Sequence, residues 1–293
     1  MHPDTSRSVR DVTNAYSLEV GAKDIGALAA VAPRMSPGAM MSIPYLANQD
    51  NPARLAAVRA VRDLGFEPMP HLSARRIVSL AELESFIQRA VAEAGVERCF
   101  VIAGDPPTAK GPFPDSLSLI ETGVFERSGI KIVGVGGHPE GHPVMSASDR
   151  WQVLEHKCSS IEERGMAPLI VTQFAFDADV ILTWLDALRE RGIGHPVRIG
   201  VPGPASVAVL ARYAALCGVG ASMLSKYGVS LGKLLGSAGP ARFVDRLAAG
   251  LTDAYGEVRL HFFPFGGIAQ SVKWVEQYRS HLERQRLTGA PVA

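Results

Sequence analysis

The chain has 293 residues, 47% of them hydrophobic and 20% charged, with 29 Gly and 20 Pro, an ordinary globular composition with ample material for a large core. Thirty basic residues against 29 acidic ones leave a net charge of +1, and no block of like charge occurs, which excludes a nucleic-acid footprint of the usual kind. No apolar run reaches the roughly 18 residues of a spanning helix, and the opening Met1-His2-Pro3-Asp4-Thr5 has no signal-peptide pattern. Cys99, Cys158 and Cys217 are odd in number, far apart and free of any C-x-x-C, as expected of reduced thiols in a cytoplasmic protein.

Short apolar runs alternate with amphipathic stretches from end to end. Strands are expected at Asn14–Val20, Ala39–Tyr45, Glu67–Ser73, Arg98–Gly104, Lys131–Gly136, Pro168–Phe174, Val197–Val201 and Arg259–Phe265. Runs such as Cys99-Phe100-Val101-Ile102-Ala103 are apolar throughout, the pattern of parallel strands covered on both faces. Helices are expected at Pro52–Leu64, Leu80–Ala94, Asp115–Ser128, Ala147–Arg164, Ala178–Arg191 and Ala205–Leu216, around Gly228–Leu235, then at Pro240–Ala254 and Trp274–Arg286. Ser79 followed three residues later by Glu82 has capping-box spacing, and Gly95 closes the same helix.

Eight strands alternating with helices, with no break in composition, predict an α/β fold: one closed (β/α)8 TIM barrel. A single catalytic domain would then span residues 1–293, with flexible ends at 1–13 and 287–293. An open doubly wound sheet is the competing architecture, but Gly134-Val135-Gly136-Gly137 is followed by His138-Pro139 where a phosphate-binding helix would have to start.

In such barrels chemistry gathers on the loops after the strands. Unusual polar residues fall there repeatedly: Glu19, Tyr45 with Asn48, His71 with Ser73, Asp105, His138 with His142, and Gln173 with Asp177. Each has a structural reading too. Asp105 before Pro106 opens turns, and His71 could be a core histidine. His138 and His142 stand four apart, but the intervening prolines and Gly141 forbid a helix, so no metal site is expected. Phe174, Phe176, Phe262, Phe263 and Phe265 have strand spacing and are mainly core, although those near the rim could stack on a planar ring.

Pro70-His71-Leu72-Ser73, Gly104-Asp105-Pro106-Pro107, His138-Pro139-Glu140-Gly141-His142-Pro143, Thr172-Gln173-Phe174-Ala175-Phe176-Asp177 and His261-Phe262-Phe263, in this order, resemble the methylenetetrahydrofolate reductase family. The resemblance is to its bacterial, catalytic-domain-only form. It implies an oxidoreductase of one-carbon metabolism and methionine biosynthesis that interconverts 5,10-methylenetetrahydrofolate and 5-methyltetrahydrofolate, with NADH or NADPH as hydride source and FAD as carrier. It implies Glu19 as general acid and Asp105 as the carboxylate beside the developing iminium cation. Flavin contacts are implied for His71, Ser73, Asp105, His138, His142 and Lys157, and substrate contacts for Tyr45, Gln173, Phe176 and Phe265. One carboxyl that donates and one held ionised is the division of labour this chemistry needs.

The chain departs from the family where Val20-Gly21-Ala22-Lys23 replaces the usual Phe-Phe-Pro-Pro and where Ala103 replaces an arginine. The helix after strand five keeps Lys157 as its candidate for a flavin phosphate, His138 stands for a tyrosine, and Val207 or a neighbour for a phenylalanine. FAD is accordingly expected to be held loosely. Flavin-independent transfer to the same folate, an enzyme working in the oxidase direction, and a non-redox pterin-binding barrel of methyltransferase or carrier type are the alternatives. The expected partners are folate and nicotinamide, without nucleic acid or membrane; a homo-oligomer is left open.

Overall fold

The structure, a computed structural model, describes residues 12–46, 49–217 and 240–288. Asn48 and the helix expected around Gly228–Leu235 lie outside them, as do the terminal stretches 1–11 and 289–293. Eight strands form a closed barrel in chain order. They are β1 (Ser17–Glu19), β2 (Met40–Ile43), β3 (Glu67–Ser73), β4 (Arg98–Ile102), β5 (Ile132–Gly137), β6 (Ala167–Phe174), β7 (Val197–Pro202) and β8 (Val258–Phe263). The fold is the (β/α)8 barrel that the strand–helix alternation predicts.

The helices are α1 (Ile25–Val31), α2 (Asn51–Asp63), α3 (Leu80–Ala94), α4 (Ser116–Ile120), α5 (Val124–Arg127), α6 (Ala147–Glu163), α7 (Ala178–Glu190), α8 (Val207–Cys217), α9 (Ala241–Gly250) and α10 (Ile268–Thr288). Three expectations change. The first strand is three residues long, because Asn14 and Ala15 turn and Ala15 takes a positive φ of 48°. The helix expected over Asp115–Ser128 is two short pieces, broken where Gly123 adopts φ 73°. α1 went unread, since Ile25-Gly26-Ala27-Leu28-Ala29-Ala30-Val31 buries just Leu28 and Val31 and shows little periodicity. At the ends, Val12 and Thr13 are buried and α10 runs through Thr288. No helix of the described residues is long and apolar enough to cross a membrane.

By contact density the chain divides into two compact units. In the first, Ser17–Gly137 with Ala147–Val171, the strands β1 to β5 pair in parallel, with Glu19 opposite Ser42, Ser42 opposite Met69, and His71 opposite Phe100. Met40, Met69, Phe100, Leu169 and Val171 pack into one buried cluster with Ile102 and Ile132 against it. Four different strands contribute to that cluster, so its members share the inner face of the sheet. Truncating one of the larger ones to Ala would cost ~2–5 kcal/mol. Gly134 of β5 has no side chain because a Cβ there would stand 2.6 Å from the Phe100 ring.

Side chains alternate along a strand with period two. Two residues beyond Met40 the same face carries Ser42, and beyond Met69 it carries His71 and then Ser73. The inner face therefore changes from apolar to polar towards the C-terminal ends of the strands.

The second unit, Met1–Tyr16 with His138–Ser146 and Thr172–Ala293, holds β7 and β8 paired in parallel over their full lengths, Gly200 opposite His261 and Pro202 opposite Phe263. Phe262 points away from His261, towards Tyr16 and Trp274. Asp177 starts α7 by accepting from the N–H groups of Asp179 and Val180.

Candidate active site

Glu19 is the last residue of β1, and its partner in register, Ser42, puts it on the inner face. Its Oε1 lies 4.0 Å from Nε2 of His71, with 24% of the Glu19 side chain and 8% of the imidazole exposed. Burial pushes the Glu19 carboxyl up to about 7. Burial, and secondarily the positive charge of Arg54, pull the His71 imidazole down to about 3. Through the acid and neutral range, therefore, the imidazole is uncharged and the carboxyl keeps its proton up to about pH 7. The hydroxyls of Ser42 in β2 and Ser73 in β3 are buried on the same face, and neither has a hydrogen-bond partner in the protein.

Tyr45 follows β2 and lies against Arg54 of α2, whose guanidinium carbon is 3.7 Å from the Tyr45 ring centre and 4.0 Å from that of Phe86. Arg54 donates to the carbonyl of His71 at 2.6 Å and to Oδ1 of Asn51 at 2.8 Å. Asn51 in turn donates to Glu82. Glu82 takes the N–H of Val78 with its other oxygen, and its own N–H is capped by Ser79. The Ser79–Glu82 signal is thus a real helix start, although the carboxylate reaches Val78 where a full capping box would bond Ser79.

Asp105 follows β4, 77% exposed, on a turn where Gly104 adopts φ 92°. Arg76, 9% exposed and set on the short turn Ala74–Arg76 after β3, grips one carboxylate oxygen at 2.5 Å through Nη2 and at 3.1 Å through Nε. A Cβ on residue 104 would stand 1.9 Å from the Ser73 hydroxyl. The Gly104-Asp105 dipeptide and Ser73 are therefore fitted to each other. Lys157, on α6, is largely buried, which pulls its ammonium down, opposed by the charge of Asp115.

In the second unit Gln173 folds its Oε1 onto the N–H of Phe174. Glu140, from the His138–Pro143 turn, accepts from the N–H groups of Phe176 and Asp177 at 2.9 and 3.2 Å. It thereby sets the exit of β6 into α7. His142 accepts from the N–H groups of Val144 and Met145 through Nδ1, and its ring stands edge-on to His138 at 4.9 Å. That Nδ1 is engaged in shaping a turn, and the described residues contain no group of three potential metal ligands. Phe265 stacks on Tyr213 of α8 at 4.1 Å and meets Phe174, which also touches Phe176 and Phe263. Phe176 and Phe265 so belong to one partly exposed aromatic cluster. The side chain of Val207 is outside the described set.

Two residues of this architecture, Arg54 and Arg76, are unmarked by any motif above, and Glu140 stands there inside the His138–Pro143 motif without a role of its own. Arg54 did leave a signal, because with Leu55, Val58 and Val61 it occupies the buried stripe of α2, where an apolar residue belongs. Arg76 and Glu140 act across turns whose partners lie 29 and 36 residues away, and no local pattern reports such pairs.

The methylenetetrahydrofolate reductase family model matches residues 22–226, more than half of the chain. The match begins three residues past Glu19. Methylenetetrahydrofolate reductase 2 of Saccharomyces cerevisiae is 26% identical over 145 residues, 47% of this chain and 24% of that protein. Methylenetetrahydrofolate reductase (NADH) 1 of Arabidopsis thaliana is 26% identical over 135 residues, 42% of this chain and 23% of its own length. The matched stretches thus span about a quarter of these relatives. Among solved structures, a protein from Clostridium thermocellum described as binding two copies of 5-methyl-5,6,7,8-tetrahydrofolic acid superposes with a TM-score of 0.56 at 9% identity, over 94% of this chain and 98% of that one. At that identity it speaks for the fold alone. On the extent of the family match, the chain belongs to the methylenetetrahydrofolate reductase family.

Proposed function

We propose that this protein interconverts 5,10-methylenetetrahydrofolate and 5-methyltetrahydrofolate, with NADH or NADPH as the hydride source and Glu19 as the general acid. The observation that carries the reading is the state of Glu19: a carboxyl at a strand end, holding its proton up to about pH 7 beside an uncharged imidazole. The imidazolidine ring of methylenetetrahydrofolate opens when its departing nitrogen receives a proton, and an acid with a pKa near the working pH is suited to deliver it. A protonated His71 would stabilise the carboxylate and spoil that acid, so its neutrality belongs to the same device.

Asp105 is assigned the opposite role, an ionised carboxylate beside the cation that ring opening creates. Arg76 holds one of its oxygens, which leaves the other to face that charge. Tyr45 and Gln173 are assigned to the folate, and Phe176 and Phe265 to planar ring faces. The name of the Arabidopsis relative, which specifies NADH, supports a nicotinamide co-substrate.

FAD, when bound, supplies a two-electron carrier between nicotinamide and folate. The residues fit such a group: the orphaned, buried Ser73 hydroxyl offers a hydrogen bond. His71, Ser73 and Asp105 would hold the ring system, with His138 and His142 as further contacts. Lys157, whose charge burial disfavours, gains from an anionic phosphate. These residues bind and orient; the proton comes from Glu19.

The deciding experiment is purification without added cofactor, followed by a visible spectrum and an NADH assay dependent on methylenetetrahydrofolate. Flavin bands with folate-dependent turnover support the whole reading. Turnover in colourless, flavin-free protein assigns direct transfer from the nicotinamide. Folate binding without NADH oxidation in any state of loading overturns the reductase reading in favour of a non-redox pterin barrel.

A further inference from the structure

Arg54 takes no part in the chemistry above, yet its burial is extreme, with 2% of its surface exposed. Among the described residues no carboxylate lies within ion-pair distance of it; the nearest negative charge, Glu82, is reached through Asn51. Burying a cation in this way is costly, and a Leu or Met would fill the same point of the α2 stripe without that penalty. What Arg54 touches is specific: the faces of Tyr45 and Phe86, and the backbone oxygen of His71. It thus stands behind the sheet, on the far side of the strand whose inner face presents the imidazole to Glu19.

We propose that Arg54 is a positioning residue of the acid site: its guanidinium fixes Tyr45 and the His71 main chain, holding the imidazole at Glu19, and its charge adds to burial in opposing a second cation beside that carboxyl. This rests on the reading of Glu19 as the general acid. The groups around the imidazole are Glu19 from β1 at 4.0 Å, the Phe100 ring from β4 at 4.7 Å, and Arg54 from α2 behind its own strand. Around Arg54 stand the Tyr45 phenol, Asn51, and Glu82 and Phe86 from α3. Phe100 carries no charge. Burial and the Arg54 cation both disfavour imidazolium, whereas Glu19, once ionised, would favour it. Without Arg54 the balance moves towards a protonated His71, and a positive charge 4.0 Å away lowers the proton affinity of Glu19.

The test is the titration of nitrogen-15-labelled histidine by NMR in wild type, Arg54→Met and Arg54→Lys, with His71→Gln to assign the signal and no substrate or cofactor added. The proposal expects His71 neutral at pH 5 in wild type and in Arg54→Lys, which keeps the charge. It expects the His71 pKa to be higher in Arg54→Met than in wild type and Arg54→Lys, while burial still holds it below the ordinary imidazole value. A wild-type His71 that protonates near its ordinary value overturns the proposal. So does an Arg54→Met whose His71 titrates as in wild type, because Arg54 then acts on stability alone. If Arg54→Met does not fold, Arg54→Gln, which can keep the bond to the His71 carbonyl, gives the same reading: a raised His71 pKa supports the proposal and an unchanged one overturns it. The titration is read without catalysis, so an inactive protein with a neutral His71 sinks the reductase reading and leaves the Arg54 assignment standing.

Discussion

Oε1 of Glu19 and Nε2 of His71 face each other across 4.0 Å without forming an ion pair, since between about pH 3 and 7 the carboxyl keeps its proton and the imidazole stays neutral. Glu19→Gln keeps the size and loses the proton. Reduction of methylenetetrahydrofolate should slow by about 10²–10⁴-fold, the contribution of a positioned general acid. NADH oxidation by an artificial acceptor needs no such proton and should survive within roughly tenfold. Separate assays of the two half-reactions decide it, because misfolding lowers both. Intact folate reduction in the variant would move the acid to another residue.

The same carboxyl makes a prediction about stability. Its pKa is raised on folding, from 4.5 to about 7, so the folded chain binds this proton more tightly than the unfolded one. Its contribution is full below pH 4.5 and is lost as pH rises to about 7, a total of up to about 3 kcal/mol at 1.36 kcal/mol per unit. Glu19→Gln should therefore match wild type at pH 4 and melt higher than wild type at pH 8. Denaturation at the two pH values measures this. A variant less stable at pH 8 would show that Glu19 ionises without penalty.

Arg76→Met should leave the fold intact and loosen Asp105. The two contacts on Oδ1 are charge-assisted, worth ~1.5–3 kcal/mol when dry, but the carboxylate is 77% exposed and solvent screens it. Around 1 kcal/mol survives that discount, so folate-dependent kcat should fall several-fold. NADH oxidation by an artificial acceptor should be unchanged. Steady-state assays of both, with Arg76→Lys recovering part of the loss, check the assignment.

Gly104→Ala tests the fit between the turn after β4 and the end of β3. The backbone at φ 92° strains any residue with a Cβ, at ~1–3 kcal/mol. The new methyl would also meet the Ser73 hydroxyl at 1.9 Å. A clear fall in melting temperature is expected. The Ser73→Ala, Gly104→Ala double variant should regain part of it, because the Ser73 Cβ is still 3.3 Å away and the backbone strain persists. Equal stability of the single and double variants would place the whole cost in the backbone.

Flavin retention is the fifth expectation. With Lys157 as the phosphate partner assigned on α6, FAD should be lost on dilution, and Lys157→Met should weaken it by a further tenfold or more, since 1.4 kcal/mol is a factor of ten. Fluorescence titration of flavin into apoprotein measures both. Retention at nanomolar concentration through dialysis would contradict the loosening.

The barrel was legible because its signal is repeated eight times: continuous apolar strands alternating with stretches of helical period need no single boundary to be right. Glu19, His71, Ser73 and Asp105 were legible as strand-end polar residues. α1 was not, for lack of a periodic stripe, and the Asp115–Ser128 stretch misled because Gly123 breaks it at φ 73°. What local pattern does not carry is the support behind these side chains. Arg76 reaches Asp105 over 29 residues, and Arg54 acts through the main chain of His71, which any residue at position 71 would offer. The bonds from two N–H groups of its own turn to His142 Nδ1 are likewise unannounced by spacing.

The cluster of Met40, Met69, Phe100, Leu169 and Val171 below Ser42 and His71 is a dry floor. Water finds no strong hydrogen-bonding side chain among those five, so the cluster itself offers no relay for protons. If Glu19 is the acid proposed above, it would be recharged from the polar end of that face, the end at which reactants would arrive. A planar ring bound there would leave the carboxyl with the one proton it already holds. On that reading acid supply would be metered by occupancy, and recharging would wait until product leaves.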